Sequence, residues 1–313
     1  MTKSLTSPDG TPASRFAFGT MQFGGRADAT ASRDMYDAAL EAGITHFDTA
    51  YVYNDGRSEE LLGSFLGTER DRLIIATKAA YSGGGSRQNI HDSFETSRKR
   101  LGLDVIDVLY MHRYDPDTDL HESIEALADL KQAGRIRYIG VSNFAAWQVV
   151  KAICIGAKFD VGIDILQPMY NLVKRQAEVE ILPMCADQGV ACAPYSPLGG
   201  GLLTGKYAKD AGKGRLAEDT GYATRYGPAW MHEAAIALSA LASEIGQNPA
   251  TLAVAWAAAH PSGPTPIISA RSAEQLQPSL AALDFDMTPE LYARMAALTP
   301  TPPPATDRLE EQG

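Results

Sequence analysis

This chain is short of the features that would place it outside an ordinary reducing compartment. It has only three cysteines in 313 residues. Cys154, Cys185 and Cys192 are odd in number and lie in apolar stretches, so they read as reduced core residues rather than a disulfide framework. Met1-Thr2-Lys3-Ser4-Leu5 lacks the apolar run of a signal peptide, and no stretch reaches the roughly 18 apolar residues of a spanning helix. A cytoplasmic protein with no membrane partner is expected. Positive charge is also scarce: 28 Lys and Arg against 38 Asp and Glu leave a net charge of −10. That balance argues against nucleic acid as a partner, and any anionic ligand must meet locally clustered Arg or Lys. Histidines His46, His91, His121, His232 and His260 have no metal-ligand spacing, and neither His-Glu-x-x-His nor Cys-x-x-Cys occurs, so no metal is expected.

The chain does have a rhythm of short β-branched runs alternating with segments of helical period, as βα units on a parallel sheet require. Strands are predicted near Phe16 to Gly19, Ile44 to Asp48, Leu73 to Lys78, Val105 to Tyr110, Ile136 to Val141, Ile163 to Gln167, Val190 to Tyr195 and Pro266 to Ala270. Helices are predicted between them, over Thr30 to Ala42, Ser58 to Leu66, Ile90 to Leu101, Leu120 to Ala133, Ala145 to Ile155 and Glu178 to Gln188. Eight such units at this length predict one α/β domain, a (β/α)8 TIM barrel over residues 15–299. Residues 1–14 form an N-terminal segment and residues 300–313 a Pro-rich tail. A long insertion after strand 7 holds the glycines Gly199 to Gly201, an aromatic loop from Gly221 to Gly227 and an extra helix near Trp230 to Ile245. Further helices follow strand 8, over Ala273 to Leu283 and Pro289 to Leu298.

Asp48, Tyr53, Lys78 and His112 each sit just past a predicted strand, and the C-terminal ends of barrel strands meet on one face. A buried Lys78 needs a carboxylate, and Asp48 on the neighbouring strand is its natural partner. An ammonium beside the Tyr53 phenol is expected to lower its pKa from about 10 towards working pH. A phenol so tuned can protonate a carbonyl or deprotonate an alcohol, and His112 can orient and polarise the same oxygen.

The ordered motifs Phe47-Asp48-Thr49-Ala50-Tyr51-x-Tyr53, Ala76-Thr77-Lys78, Tyr110-x-His112, Gly140-Val141-Ser142-Asn143-Phe144, Gln167-Pro168-x-Tyr170-Asn171 and Tyr195-Ser196-Pro197-Leu198 resemble those of the aldo-keto reductase superfamily. The resemblance spans roughly residues 16 to 283. It implies a barrel that binds NADP(H) in extended form without a Rossmann domain, and no Gly-x-Gly-x-x-Gly follows a strand here. By resemblance, Gly19, Thr20, Met21 and Asp48 line the cofactor site. Ser142, Asn143 and Gln167 hold the carboxamide, and Tyr195 stacks on the nicotinamide. The pyrophosphate runs along Ser196, Pro197, Leu198, Gly200 and Gly201 with Lys206 as counter-charge. The adenosine end meets Ser269, Arg271, Gln275 and Ser279. Asn143 could also cap the helix that starts near Ala145.

Two positions depart from the family pattern. Pro278-Ser279 stands where many relatives carry Glu-Asn to hold the adenine, and proline's side chain neither donates nor accepts. Ser269 replaces a usual glycine. The substrate is expected to be a small carbonyl or alcohol, between walls formed by Met21, Tyr51, Tyr53, Tyr81, His112, Arg113, Tyr114, Tyr222 and Tyr226. The resulting expectation is NADP(H)-dependent reduction of an aldehyde or ketone. The rival readings are physiological oxidation of a sugar or other alcohol, and the cofactor-sensing regulatory subunit of a membrane channel, a role some relatives fill. Against the channel role, no long N-terminal extension or obvious partner-binding helix is visible. No residue pattern specifies an oligomeric state.

Overall fold

A computed structural model describes residues 4–209, 215–308 and 310. The remaining parts of the predicted N-terminal segment, insertion and tail lie outside the described residues. Eight strands form one parallel sheet in the order β7-β6-β5-β4-β3-β2-β1-β8. They are β1 (Ala17–Gly19), β2 (His46–Asp48), β3 (Ile74–Ala79), β4 (Ile106–Met111), β5 (Ile136–Ser142), β6 (Ile165–Gln167), β7 (Ala191–Cys192) and β8 (Ile267–Ile268). The sheet closes on itself, because the amides of Thr265 and Ile267 donate to the carbonyls of Cys192 and Pro194 at 2.8 Å each. The result is a (β/α)8 barrel.

The barrel helices are α1 (Ala29–Glu41), α2 (Arg57–Phe65), α3 (Arg87–Leu101), α4 (Leu120–Gln132), α5 (Ala146–Gly156) and α6 (Ile181–Gln188). The segment after β7 carries α7 (Lys206–Lys209), α8 (Arg215–Glu218), α9 (Thr220–Arg225), α10 (Ala229–Glu244) and α11 (Pro249–Ala258). After β8 come α12 (Ala273–Leu280) and α13 (Pro289–Ala296). Local chemistry sets several starts. Asp28, Ser86, Asp119, Asn248 and Ser272 each accept a backbone N–H in the first turn of their helix, and Pro249 occupies the first position of α11.

The predicted strands are all present: β3 and β4 are shifted by one residue, β5 extends to Ser142, and the others are shorter, the C-terminal residues expected in β7 and β8 leading straight into loops. Tyr195 keeps only isolated bridges, to Met169 and Ile267. The stretch expected as an aromatic loop from Gly221 to Gly227 is instead helical over Thr220–Arg225. Asp219 starts that helix, its carboxylate accepting from the amides of Gly221 and Tyr222. Cys154, expected in the core, is exposed, whereas Cys185 and Cys192 are buried.

Alternation along the strands sorts side chains between two cores. Ile74 and Ala76 of β3 point into the barrel with Ala17, Val108, Tyr110, Ile165, Ala193 and Ile267. Phe47, Ile75, Leu109, Val141 and Leu166 point outward beneath the helices. The same parity turns Asp48, Lys78, His112, Ser142 and Gln167 inward at the C-terminal ends. Residues 4–14, given no role by the sequence, close the opposite end. Leu5 joins the interior cluster, and Arg137 Nη1 donates to the Thr6 carbonyl at 2.6 Å.

Buried Asp107 knits that lower rim, accepting from the Ile75 amide at 2.8 Å, Arg70 at 2.8 Å and Arg137 at 2.9 Å. Asp107→Ala would leave two arginines and one amide without their acceptor. The expected loss is about 3 kcal/mol, or about 5 °C in Tm for a chain of this size. A calorimetric Tm shift of less than about 1 °C would show that the rim does not depend on this carboxylate.

Candidate active site

Three consecutive strands, β2 to β4, assemble the predicted cluster. Asp48 pairs in register with Gly19 on one side and Ala76 on the other, and Lys78 pairs with Tyr110. Lys78 is buried, and its Nζ donates to Asp48 Oδ1, to the Thr49 carbonyl at 2.7 Å and to the Tyr53 hydroxyl at 3.4 Å. Asp48 uses its other oxygen to accept from Gln167 Nε2 at 2.8 Å. The Tyr53 and His112 rings meet edge to face with centroids 5.8 Å apart. The structure therefore brings all four predicted residues into one connected group.

Burial opposes the charge on Lys78, but Asp48 and Tyr53 together outweigh it and raise its pKa above the ordinary lysine value. The expectation for Tyr53 is overturned in direction. Burial raises the phenol above its usual value and Asp48 adds to the rise, while Lys78 only partly offsets them. Burial is the larger effect: the ammonium favours the phenolate, but not enough to offset the desolvation of its charge. His112 is pushed down to about 3 by burial, with the Lys78 and Arg113 charges adding to it. At neutral pH the cluster thus presents a protonated phenol and a neutral imidazole. His112 Nδ1 is buried with no hydrogen-bond partner among the described residues.

Hydroxyls fix the floor beside Asp48. Ser58 Oγ donates to the Thr20 carbonyl at 2.8 Å and lies 2.8 and 2.9 Å from the hydroxyls of Thr20 and Thr49. The Thr20 amide in turn donates to the Asp48 carbonyl at 2.8 Å. Gly19 has no room for a side chain, since a Cβ there would come 2.9 Å from Ile267 Cγ2. Met21 is exposed beside this floor.

The ends of β5 to β7 form a polar shelf. Ser142 Oγ donates to the Gln167 carbonyl at 2.9 Å, and Asn143 Nδ2 to the His112 carbonyl at 2.9 Å. Tyr195 donates to Asn143 Oδ1 at 2.7 Å. Asn143 is not a helix cap. The residue preceding α5 is Ala145, whose amide donates to Gln148 Oε1 at 2.8 Å. Non-glycine residues stand in the left-handed region at three strand ends: Ala80 (φ 64°), Asn143 (φ 56°) and Ser196 (φ 60°). Each such conformation costs about 1–3 kcal/mol and tends to collect at functional sites. Sequence reading missed Ala80, because nothing in its residue type announces the strain.

Beyond the shelf, Pro197 is buried and Leu198 leads into Gly200 (φ 65°) and Gly201 (φ 97°). A Cβ at Gly200 would lie 2.7 Å from the Tyr222 ring, and one at Gly201 2.7 Å from Lys206 Nζ. At the far end Ser269 Oγ is buried with no partner among the described residues. Arg271 lies 3.6 Å from Glu218, which also pairs with Arg26 at 3.1 Å. Sequence reading missed Glu218 and Arg26, whose pairing across the insertion leaves no local pattern. Gln275 is exposed, with its amide capped by Ser272, whereas Ser279 is buried in α12.

Of the expected substrate walls, Tyr81 and Arg113 stand beside His112, and Tyr114 packs on Phe144 and Trp147. Tyr222 stacks on Tyr226 with Arg225 over its ring. Two walls depart from expectation. Tyr51 lies under Arg100 of α3, and Tyr226 is fully buried with Asn171 Nδ2 donating to its hydroxyl at 3.2 Å. Tyr226 is thus a prop rather than pocket surface, while Tyr51 stays half-buried. Among the described residues no group of three or more His, Cys, Asp or Glu could hold a metal ion, and no helix is long and apolar enough to cross a membrane.

The model of the aldo/keto reductase family matches residues 15–300. The chain is 32% identical to a probable voltage-gated potassium channel subunit beta of Oryza sativa subsp. japonica, over 94% of this chain and 95% of that one. It is 37% identical to aflatoxin B1 aldehyde reductase member 2 of Homo sapiens (85% and 80% covered) and 34% identical to L-glyceraldehyde 3-phosphate reductase of Escherichia coli K12 (79% and 77%). With the closed barrel and the cluster on its C-terminal face, these matches place the chain in the aldo/keto reductase family of oxidoreductases.

Proposed function

We propose that the protein is an NADP(H)-dependent reductase of aldehydes or ketones, with Tyr53 as proton donor. The observation that carries this reading is the continuous contact from Asp48 through Lys78 to Tyr53, with His112 against the same phenol. Tyr53 holds its proton and faces neutral His112, so a carbonyl oxygen between them would meet two hydrogen-bond partners. Lys78 steadies the charge that develops on the phenol oxygen as its proton leaves. Asp48 and the Thr49 carbonyl keep that ammonium oriented.

A dinucleotide suits the groups along the mouth. The orphaned hydroxyl of Ser269 and the glycine turn at Gly200 and Gly201 offer close, polar contact, and an amide and a hydroxyl line the shelf. Ser142, Asn143 and Gln167 would hold the carboxamide, Tyr195 the ring, Lys206 the pyrophosphate and Arg271 a 2′-phosphate. When bound, the nicotinamide supplies the hydride. Glu218 keeps the Arg271 guanidinium in place beside the insertion.

The likeness to channel β subunits supports a second reading, a cofactor-sensing regulatory subunit. Stoichiometric NADPH binding without turnover across a carbonyl panel would favour it.

Tyr53→Phe should slow reduction of a nitrobenzaldehyde about 100-fold or more, the scale of general-acid catalysis, while NADPH affinity changes little. Undiminished turnover would remove Tyr53 from the chemistry. Because the phenol lies above its ordinary value and the imidazole far below, reductive kcat/KM should be flat from about pH 6 to about pH 9. An inflection near neutrality would mean that another group delivers the proton. Arg271→Ala should weaken NADPH binding by about 10-fold to 150-fold and NADH binding far less. Equal losses in fluorescence titrations would show that Arg271 does not read the phosphate.

A further inference from the structure

We propose that Arg113 binds an anionic group on the substrate, so that the site selects short aldehydes carrying a carboxylate or phosphate near the carbonyl. This rests on the reductase reading above and adds the substrate class to it. The Arg113 guanidinium lies 4.8 Å from the Tyr81 ring centroid, and that ring is 4.9 Å from the His112 ring. Tyr81 and Arg113 are both exposed, so together they make a solvent-facing wall beside the point where a carbonyl would be held. These two separations keep the guanidinium within roughly 10 Å of the imidazole, so a short substrate can reach both. A guanidinium lying on an aromatic ring keeps its N–H edge free, and that edge is what grips an oxoanion in bidentate fashion.

In a chain with 38 acidic and 28 basic residues, a free guanidinium is the exception. Arg70, Arg100, Arg137 and Arg175 are each held by a carboxylate. Arg113 has no carboxylate within ion-pair distance among the described residues. The acidic group nearest to it in sequence, Asp115, is occupied. Its Oδ2 accepts from the Gly85 amide at 2.7 Å and the Thr118 hydroxyl at 2.6 Å, and its Oδ1 from the Asp117 amide at 3.1 Å. Those bonds also tie the loop after β3 to the loop after β4. The wall is held further by Asn89 Nδ2, which donates to the carbonyls of Ser82 and Gly84 at 2.8 and 2.6 Å. Tyr81 and Arg113 are therefore set on loops braced against each other, with Asp115 acting on the guanidinium only through space and no carboxylate in ion-pair contact with it among the described residues.

The test compares matched substrates with NADPH and the full chain: 4-oxobutanoate against butanal, glyceraldehyde 3-phosphate against glyceraldehyde, and a nitrobenzaldehyde as neutral reference. In the wild type the anionic member of at least one pair should be preferred in kcat/KM by about tenfold or more, chiefly through KM, as a charge-assisted contact allows. The preferred pair tells carboxylate from phosphate. Arg113→Gln should bring the ratio close to one, Arg113→Lys should keep part of it, and added salt should shrink it. The proposal is overturned if charged and neutral members react alike in the wild type. It is equally overturned if the ratio survives Arg113→Gln, or falls only in Arg225→Gln, a cation on the Tyr222 side of the mouth. Turnover of the nitrobenzaldehyde under those outcomes leaves the reductase reading standing. Absence of any turnover removes the reductase reading, and this proposal with it.

Discussion

The site is organised around a lysine that has no water to solvate it. Inside the barrel the Lys78 ammonium has three donors to satisfy, and the chain supplies the Asp48 carboxylate, the Thr49 carbonyl and the Tyr53 hydroxyl. Removing any one would leave a buried charge short of a partner, a cost several times that of a surface contact. Asp48 is fixed in turn by Gln167 from the far side of the barrel. Stability and chemistry thus make the same demand. The arrangement that makes the buried charge tolerable also fixes where the phenol oxygen sits.

Strand parity explains why residues so distant in sequence converge. On β3, Ile74, Ala76 and Lys78 share the inward face, and on β4 Val108 and Tyr110 share it with His112 just beyond. A one-residue slip would send Lys78 under the helices and Thr77 into the barrel. Gly140 shows how closely the interior is filled, because a Cβ there would lie 2.4 Å from the Tyr110 ring. Past the last ladder pairs strain enters at Ala80, Asn143 and Ser196, where the chain turns sharply at the mouth.

What could be read from the sequence followed this division. The strands, the inward residues at their ends and the Asp48, Tyr53, Lys78 and His112 group carry period-two patterns or motif spacing. What could not be read depends on partners far along the chain. The bond from Asn143 to the His112 carbonyl, the pairing of Glu218 with Arg26 and the turn of Tyr51 onto Arg100 leave no local trace. The helix at Thr220–Arg225 was obscured by glycine and tyrosine, and Asp219 as its cap is the signal that reveals it. The direction of the Tyr53 shift is not legible in the sequence, which shows the lysine but not how far the phenol is desolvated.

That correction bears on the protonation state in which Tyr53 meets a substrate. A phenol lowered towards neutrality would serve equally as acid or base, whereas one raised by burial keeps its proton and favours donation. His112, held neutral, adds no charge that would draw the proton away. Oxidation of an alcohol would require Tyr53 to arrive deprotonated, and in this environment both burial and Asp48 oppose that state. At this site burial and Asp48 hold the proton on Tyr53, the state from which the proposed reduction starts, while the direction of net reaction is set by the concentrations and potentials of substrate and cofactor.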